Sequence, residues 1–84
     1  MRGRHSATLE AIFSDPVSGS IKWRDIEAMF VALGADVIEW RGSRVLVVFG
    51  ENRAVFHRPH PSPDTDKGAV KAVRRFVTEA GIKP

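Results

Sequence analysis

Residues 36–57 read Asp-Val-Ile-Glu-Trp-Arg-Gly-Ser-Arg-Val-Leu-Val-Val-Phe-Gly-Glu-Asn-Arg-Ala-Val-Phe-His, and this stretch decides the fold. Its β-branched and aromatic residues fall into three short runs, over residues 36–41, 44–49 and 53–57, which glycine-containing turns separate. Connections as short as these join neighbouring strands only when the strands are antiparallel. The pattern therefore predicts a three-stranded antiparallel meander. The second run is almost wholly apolar, which predicts that both of its faces are covered or used.

Two amphipathic helices are predicted, one on each side of the strands in the chain. The first begins after Lys22 and ends at Gly34, and the second is capped by Asp64 or Asp66 and ends at Gly81. Apolar residues recur at three- and four-residue spacing along both helices. The chain is thus predicted to be an α+β domain of order α-β-β-β-α, with both helices on one face of the meander. Double-stranded-RNA-binding domains use this layout.

The first 20 residues precede this domain, which we expect to span residues 21–84. Residues 1–5 are predicted to be a frayed basic tail that includes His5. Ser6 can cap a short extra N-terminal helix with an apolar stripe, and a linker rich in serine and glycine follows that helix.

Composition narrows the class of protein. The 84 residues include no cysteine, so disulfides, thiol nucleophiles and thiolate metal sites are excluded. The apolar runs are far shorter than the roughly 20 residues that span a bilayer, which predicts a soluble, cytoplasmic protein without a membrane partner. Thirteen lysines and arginines against ten acids give a net charge of +3. This modest excess favours a polyanionic partner.

The third predicted strand runs into the sequence His57-Arg-Pro-His60, which combines two imidazoles with a guanidinium. Histidine takes and gives protons near neutral pH, so the segment is a candidate catalytic site. Two surface or loop-packing histidines are the commoner outcome of such a pattern. A metal site from His57, His60 and Asp64 is disfavoured, because two imidazoles and one carboxylate are a thin ligand set. We therefore expect no metal and no cofactor.

Several of these pieces, in this order and spacing, resemble the HicA toxin family over residues 21–82. No single piece is specific, and the N-terminal helix lies outside the resemblance. The matching segments are the helix at residues 23–34, the hairpin Arg41-Gly-Ser-Arg44, the strand end Phe56-His-Arg-Pro-His60, and a last helix that opens with Lys67-Gly-Ala69 and closes on Ala80-Gly-Ile82.

The resemblance implies a type II toxin-antitoxin toxin with the double-stranded-RNA-binding-like fold. Such a protein would act as an mRNA interferase, a metal-independent endoribonuclease that blocks translation in a stress response. Its implied partners are mRNA and a HicB-type antitoxin protein. The family's hairpin usually reads Gly-Ser-His and that histidine is catalytic, whereas Arg44 occupies the position here. Arginine can bind a phosphate but cannot serve as acid or base near neutral pH.

Proton transfer is therefore assigned to His57 and His60, and Arg44 is the third candidate catalytic residue, as a phosphate clamp. RNA binding is expected from cationic and hydroxyl groups of the hairpin, the strand exit and the last helix. The candidates are Arg41, Ser43, Arg44, Arg58, Lys67, Lys71 and Arg74.

Simpler interpretations stay open beside this one. The hairpin arginines can be solubilising charges, and the lysine stripe of the last helix can be an ordinary solvated face. The domain can be an RNA-binding module with weakened or lost catalysis, or a protein-interaction domain that docks through its second strand. Trp40 shares a predicted face with Ile38, so it can be buried or can stack a base or a partner's side chain, and of these we expect burial or partner contact.

Overall fold

A computed structural model of the chain describes residues 3–60 and 62–84. Three helices and a three-stranded antiparallel sheet of order β1-β2-β3 make up these residues, which confirms the predicted α+β fold with its short extra N-terminal helix. The elements in chain order are α1 (Arg4–Ile12), α2 (Trp23–Ala32), β1 (Asp36–Glu39), β2 (Arg44–Phe49), β3 (Asn52–His57) and α3 (Lys67–Glu79).

The sheet has one face against the helices and one face that no helix of the described residues covers, which we call the open face. On β2, Val45 and Val47 are fully buried against the helices, while Leu46 and Val48, which alternate with them, are only half-buried. Side chains along a strand point alternately to the two faces, so this burial pattern identifies both faces. The prediction that the helices cover one face of β2 is confirmed, and use of the open face by a partner stays a prediction.

Aromatic side chains form the centre of the core between the helices and the sheet. Trp23 and Phe30 of α2, Phe56 of β3 and Phe76 of α3 contact one another with ring centroids 5.6 to 6.1 Å apart. Edge-on and tilted contacts at these distances are favourable beyond the area they bury. All four rings are at most 5% exposed, so this cluster fixes both helices on the same face of the sheet.

The predicted helix boundaries hold for α2 and α3. Lys22 is the N-cap of α2, and Gly34 follows the helix at φ +93°, a conformation that glycine adopts without strain. Of the two predicted caps of α3, Asp66 is the one used, because its carboxylate accepts a hydrogen bond from the Ala69 amide at 3.2 Å. Asp64 instead forms an ion pair with Lys22.

Helix α1 begins earlier than predicted and belongs to the core. Gly3 precedes it, so Ser6 lies inside the first turn and the prediction that Ser6 caps the helix is wrong. The predicted basic tail falls partly on residues 1–2, outside the described residues, and His5 lies in the helix rather than in a tail. Leu9 and Ile12 are at most 3% exposed and join the core that α2 and α3 share with the sheet.

Strand β1 is shorter than predicted, ending at Glu39 instead of residue 41. The Arg44 amide donates to the Arg41 carbonyl at 3.0 Å and closes a turn with Gly42 at φ +58°. Trp40 precedes this turn and is 54% exposed, so burial, the first of the two expectations for Trp40, is wrong, and contact with a partner stays a prediction. None of the helices in the described part of the chain is both long and apolar enough to cross a membrane.

Candidate functional site

The register of the sheet brings Arg44 and His57 together at one end of the open face. The two residues are directly opposite each other on β2 and β3. The Arg44 carbonyl accepts a hydrogen bond from the Trp40 amide at 3.0 Å, so the backbone groups of Arg44 point away from β3. Arg44 and His57 are therefore a non-hydrogen-bonded pair, the type in which opposing Cα atoms are only about 4.5 Å apart and the side chains stand close.

The open face carries three rows of side chains that cross the sheet. Residues paired across neighbouring strands share a face, so each row contains one residue from each strand or its extension. Starting at the end of the sheet where the β1–β2 turn lies, we name them the Trp40 row (Trp40, Arg44, His57), the Ile38 row (Ile38, Leu46, Val55) and the Asp36 row (Asp36, Val48, Arg53). The first row combines an aromatic ring, a guanidinium and an imidazole, whereas the second is wholly apolar.

Arg58, the next residue after His57, points to the opposite face and is held there by two carboxylates. Its guanidinium donates to Glu27 of α2 through Nε at 2.7 Å and Nη2 at 3.2 Å, and to Glu39 of β1 through Nη1 at 2.9 Å. These hydrogen bonds, to Glu27 first and to Glu39 second, raise the pKa of Arg58 still further above its usual range. The Arg58 amide also donates to the Ser43 carbonyl at 2.8 Å. Arg58 therefore fixes the strand end that carries His57.

A second anchor lies beyond His60, where the chain passes the start of α2. The Trp23 amide donates to the Pro63 carbonyl at 3.0 Å, and the Thr65 amide donates to the Ile21 carbonyl at 2.8 Å. The Lys22 ammonium contacts the Asp64 carboxylate at 2.7 Å on the surface of this joint. Arg58, two residues before His60, and this joint, which begins at Pro63, are thus both fixed to the rest of the fold. Pro61, part of the predicted loop, lies outside the described residues.

The groups suited to proton transfer are on the surface. His57 and His60 are both exposed, and neither imidazole makes a hydrogen bond within residues 3–60 and 62–84. Exposed imidazoles without an internal partner are accessible to a substrate. Across the same residues, no three histidine or carboxylate side chains are grouped closely enough to hold a metal ion.

The predicted RNA-binding residues separate into two groups by their contacts. Arg74 donates to the Ile12 and Ser14 carbonyls, both at 2.9 Å, and so binds the end of α1 to α3. Arg74 and Arg58 thus serve the fold, and any RNA contact they make remains a prediction. The remaining candidates are exposed and have no side-chain ion pair in the described part of the chain: Arg41, Ser43, Arg44, Lys67 and Lys71.

Two features of the site were missed from the sequence. Glu27 lies on the polar side of α2 and gave no sign that it would face Arg58, because the two residues are 31 positions apart. The exposure of Trp40 was detectable in principle. Trp40 continues the alternation of Ile38 on β1, and β2 already indicated that this face had no helix over it.

The fold and the site define a small α+β domain with the double-stranded-RNA-binding-like layout, whose helices are buried on one face and whose opposite face presents an arginine beside a histidine. The family model described as HicA toxin of bacterial toxin-antitoxin matches residues 23–82. The chain therefore belongs to the HicA toxin family. Helix α1 lies outside the matched residues. Neither the curated proteins nor the solved structures contain a match to this chain.

Proposed function

We propose that this protein is the toxin of a type II toxin-antitoxin pair and that it acts as a metal-independent endoribonuclease on mRNA, which blocks translation. Family membership supports the toxin role. The observation that carries the nuclease role is the register that sets Arg44 directly opposite His57 on the open face. We expect the protein to act in the cytoplasm, where mRNA is translated, as part of a stress response.

The reaction requires a base, an acid and a cation around one phosphodiester. One of the two imidazoles, His57 or His60, takes the proton of the 2′-hydroxyl as the 2′-oxygen attacks phosphorus. The other imidazole gives a proton to the departing 5′-oxygen, so the products are a 2′,3′-cyclic phosphate and a free 5′-hydroxyl. The Arg44 guanidinium stabilises the charge that develops on the phosphorane oxygens. No metal takes part in this scheme.

We assign binding of the RNA backbone to exposed cationic and hydroxyl groups that make no side-chain ion pair within the described residues. Arg41 and Ser43 are in the turn beside the Trp40 row, and Lys67 and Lys71 lie one helical turn apart on α3. Lysine and arginine side chains in such positions bind phosphates and release counterions, so RNA affinity should fall steeply as salt rises. Arg58 holds the site in place through its carboxylate partners, and an RNA contact by Arg58 or Arg74 stays a prediction.

The partner protein is proposed to be a HicB-type antitoxin that covers the open face. Ile38 is 43% exposed and Val55 is 46% exposed, with Leu46 between them. A contiguous apolar row on a surface with charged neighbours is typical of a protein interface. A protein seated there would also hide Arg44 and His57 from RNA, which would silence the toxin.

The test combines growth and digestion. Expression of the wild-type chain should arrest growth, and co-expression of the neighbouring reading frame should relieve the arrest. Purified protein should cut an RNA transcript in the presence of a metal chelator, while His57→Ala still binds the transcript without cutting it. Normal growth together with an uncut transcript would reject the nuclease role.

The replacement of the family's histidine by Arg44 favours one second candidate, an RNA-binding module with weakened or lost catalysis. Arg44→His separates the two, because it restores an imidazole opposite His57. A tenfold or larger gain in cleavage would identify the natural chain as a weakened nuclease. An unchanged rate would mean that the histidines already present supply the acid and base. Weak salt dependence of RNA binding would instead favour a protein-docking role.

A further inference from the structure

Trp40 is the exposed aromatic residue at the candidate site. It is 54% exposed, whereas Trp23, the other tryptophan of the chain, is 5% exposed and lies in the core. Trp40 follows Ile38 on the open face, and its amide is fixed by the hydrogen bond to the Arg44 carbonyl. A large ring that directly follows β1, with much of its surface in solvent, provides a flat contact surface.

The charges around Trp40 favour a polyanion over a protein as its occupant. Arg44 is next to Trp40 in the same row and Arg41 is in the adjoining turn, and neither is paired within the described residues. The nearby acid Glu39 points to the helix face, where Arg58 binds it. Asp36 lies two rows away, about 13 Å along the strand. The surface beside the indole is therefore cationic.

We propose that Trp40 is a stacking platform for an unpaired nucleobase, so that the substrate is single-stranded RNA at the point of cleavage. This proposal rests on the proposed nuclease function and names its substrate class. Neighbouring strands lie about 4.8 Å apart, so the three residues of the Trp40 row are close together. A base on Trp40, a phosphate on Arg44 and a ribose at His57 can therefore come from one short stretch of RNA. In a duplex the bases stack on each other and offer no free face, which excludes paired RNA from this platform.

The experiment measures binding without cleavage, using a 2′-O-methyl oligonucleotide that lacks the attacking hydroxyl. The wild-type chain is compared with Trp40→Ala, with Trp40→Phe, which keeps an aromatic ring, and with Val31→Ala. Val31 is 62% exposed on α2 and controls for the loss of apolar surface elsewhere. Thermal unfolding of each variant checks that the fold is retained. Binding is measured by anisotropy for the single strand and for its duplex.

Trp40→Ala is expected to weaken single-strand binding by roughly 5- to 150-fold, the loss typical of one base–aromatic stack. Trp40→Phe should retain most of the affinity, and Val31→Ala should bind like the wild type. The single strand should also quench the fluorescence of the exposed Trp40 and leave the buried Trp23 emission in place. The duplex should bind more weakly than the single strand and should be insensitive to Trp40→Ala.

Three results would contradict the proposal that Trp40 stacks a nucleobase. One is unchanged single-strand affinity in Trp40→Ala, another is equal loss for the duplex, and the third is single-strand binding without quenching. If Trp40→Ala binds RNA normally but releases a co-expressed antitoxin, Trp40 belongs to a protein interface instead. If the proposed nuclease function is wrong, the result differs. The wild-type chain would then bind the single strand through Trp40 and still leave an unmodified RNA uncut.

Discussion

Arg44 and Arg58 lie at the same end of the β2–β3 hairpin, yet their side chains are on opposite faces of the sheet and differ in the contacts they make. Arg58 donates to two carboxylates from two different elements, and its backbone amide is bound to the Ser43 carbonyl. Arg44 makes no ion pair in the part of the chain that the structure describes. Alternation along a strand assigns one arginine to the packed face and the other to the open face.

A cationic motif beside a histidine is therefore not by itself a binding site. Arg58 is next to His57 in the sequence and was predicted to bind RNA, but its hydrogen-bonding capacity is largely used within the protein. Arg44 is 13 positions from His57, and it is the residue that the register sets opposite the imidazole. Strand pairing, rather than sequence proximity, determines which charge can act with His57.

The largest expected effect is on cleavage by variants of the two histidines. His57→Ala and His60→Ala should each lower the cleavage rate by about 10²- to 10⁴-fold, the range for loss of a general acid or base. RNA affinity and thermal stability should change little, because both side chains are exposed. Single-turnover digestion and a binding assay measure the two properties. Full activity in both variants would remove the histidines from the mechanism.

Substitution by alanine should mainly lower stability at Arg58 and mainly lower activity at Arg44. Arg58→Ala removes hydrogen bonds to two carboxylates and should lower the free energy of unfolding by about 1–3 kcal/mol. Arg44→Ala should change it by no more than about 0.5 kcal/mol, since an exposed and unpaired side chain contributes little. Arg44→Ala should instead reduce cleavage and RNA affinity. Urea denaturation and digestion of both variants test this, and equal stability losses would contradict the comparison.

A smaller effect is expected where α3 holds α1. Arg74→Ala removes two hydrogen bonds to backbone carbonyls at the end of α1 and should lower the free energy of unfolding by about 1–2 kcal/mol. The adjacent Arg75 is exposed and makes no ion pair in the described chain, so Arg75→Ala is the matched control. Amide exchange in α1 should accelerate in the first variant alone. An equal change in both would mean that Arg74 does not hold α1.

The smallest expected effect concerns pH. The pKa of Arg58 is raised by its carboxylate partners, so its contribution to stability is fully present below the pKa it has when unfolded and is lost only at still higher pH. The difference in unfolding free energy between the wild-type chain and Arg58→Ala should therefore stay constant between about pH 7 and pH 10. Denaturation at these two pH values measures it. A decline in this difference toward pH 10 would mean that a titrating lysine or histidine, and not Arg58, makes the contribution.

The sequence predicted the parts of this molecule that depend on local patterns. Short runs of β-branched and aromatic residues predicted the three strands, and the short connections predicted their antiparallel order. Glycine and aspartate predicted the end of α2 and the start of α3. The placement of His57 and Arg44 at one end of the meander followed from strand order alone, and the register of β2 and β3 agrees with it.

The sequence could not reveal contacts between distant residues. The pairing of Arg58 with Glu27 depends on how α2 lies over the sheet, and the contact of Arg74 with Ile12 depends on where α1 docks. The start of α1 was misjudged because Ser6 is a favourable N-cap residue, although the helix begins at Arg4 after Gly3. Burial, one of the two expectations for Trp40, was wrong, and it was expected because a tryptophan is usually largely buried.

The most direct test of the proposed chemistry changes the substrate instead of the protein. A defined single-stranded RNA and the same strand carrying 2′-deoxy residues at its cleavage site are digested by the wild-type chain in the presence of a metal chelator. The proposed chemistry predicts that the RNA is cut to fragments ending in a 2′,3′-cyclic phosphate and that the deoxy-substituted strand is not cut at that position. Cleavage of the deoxy-substituted strand, or activity that the chelator abolishes, would contradict a site in which His57, His60 and Arg44 act without a metal.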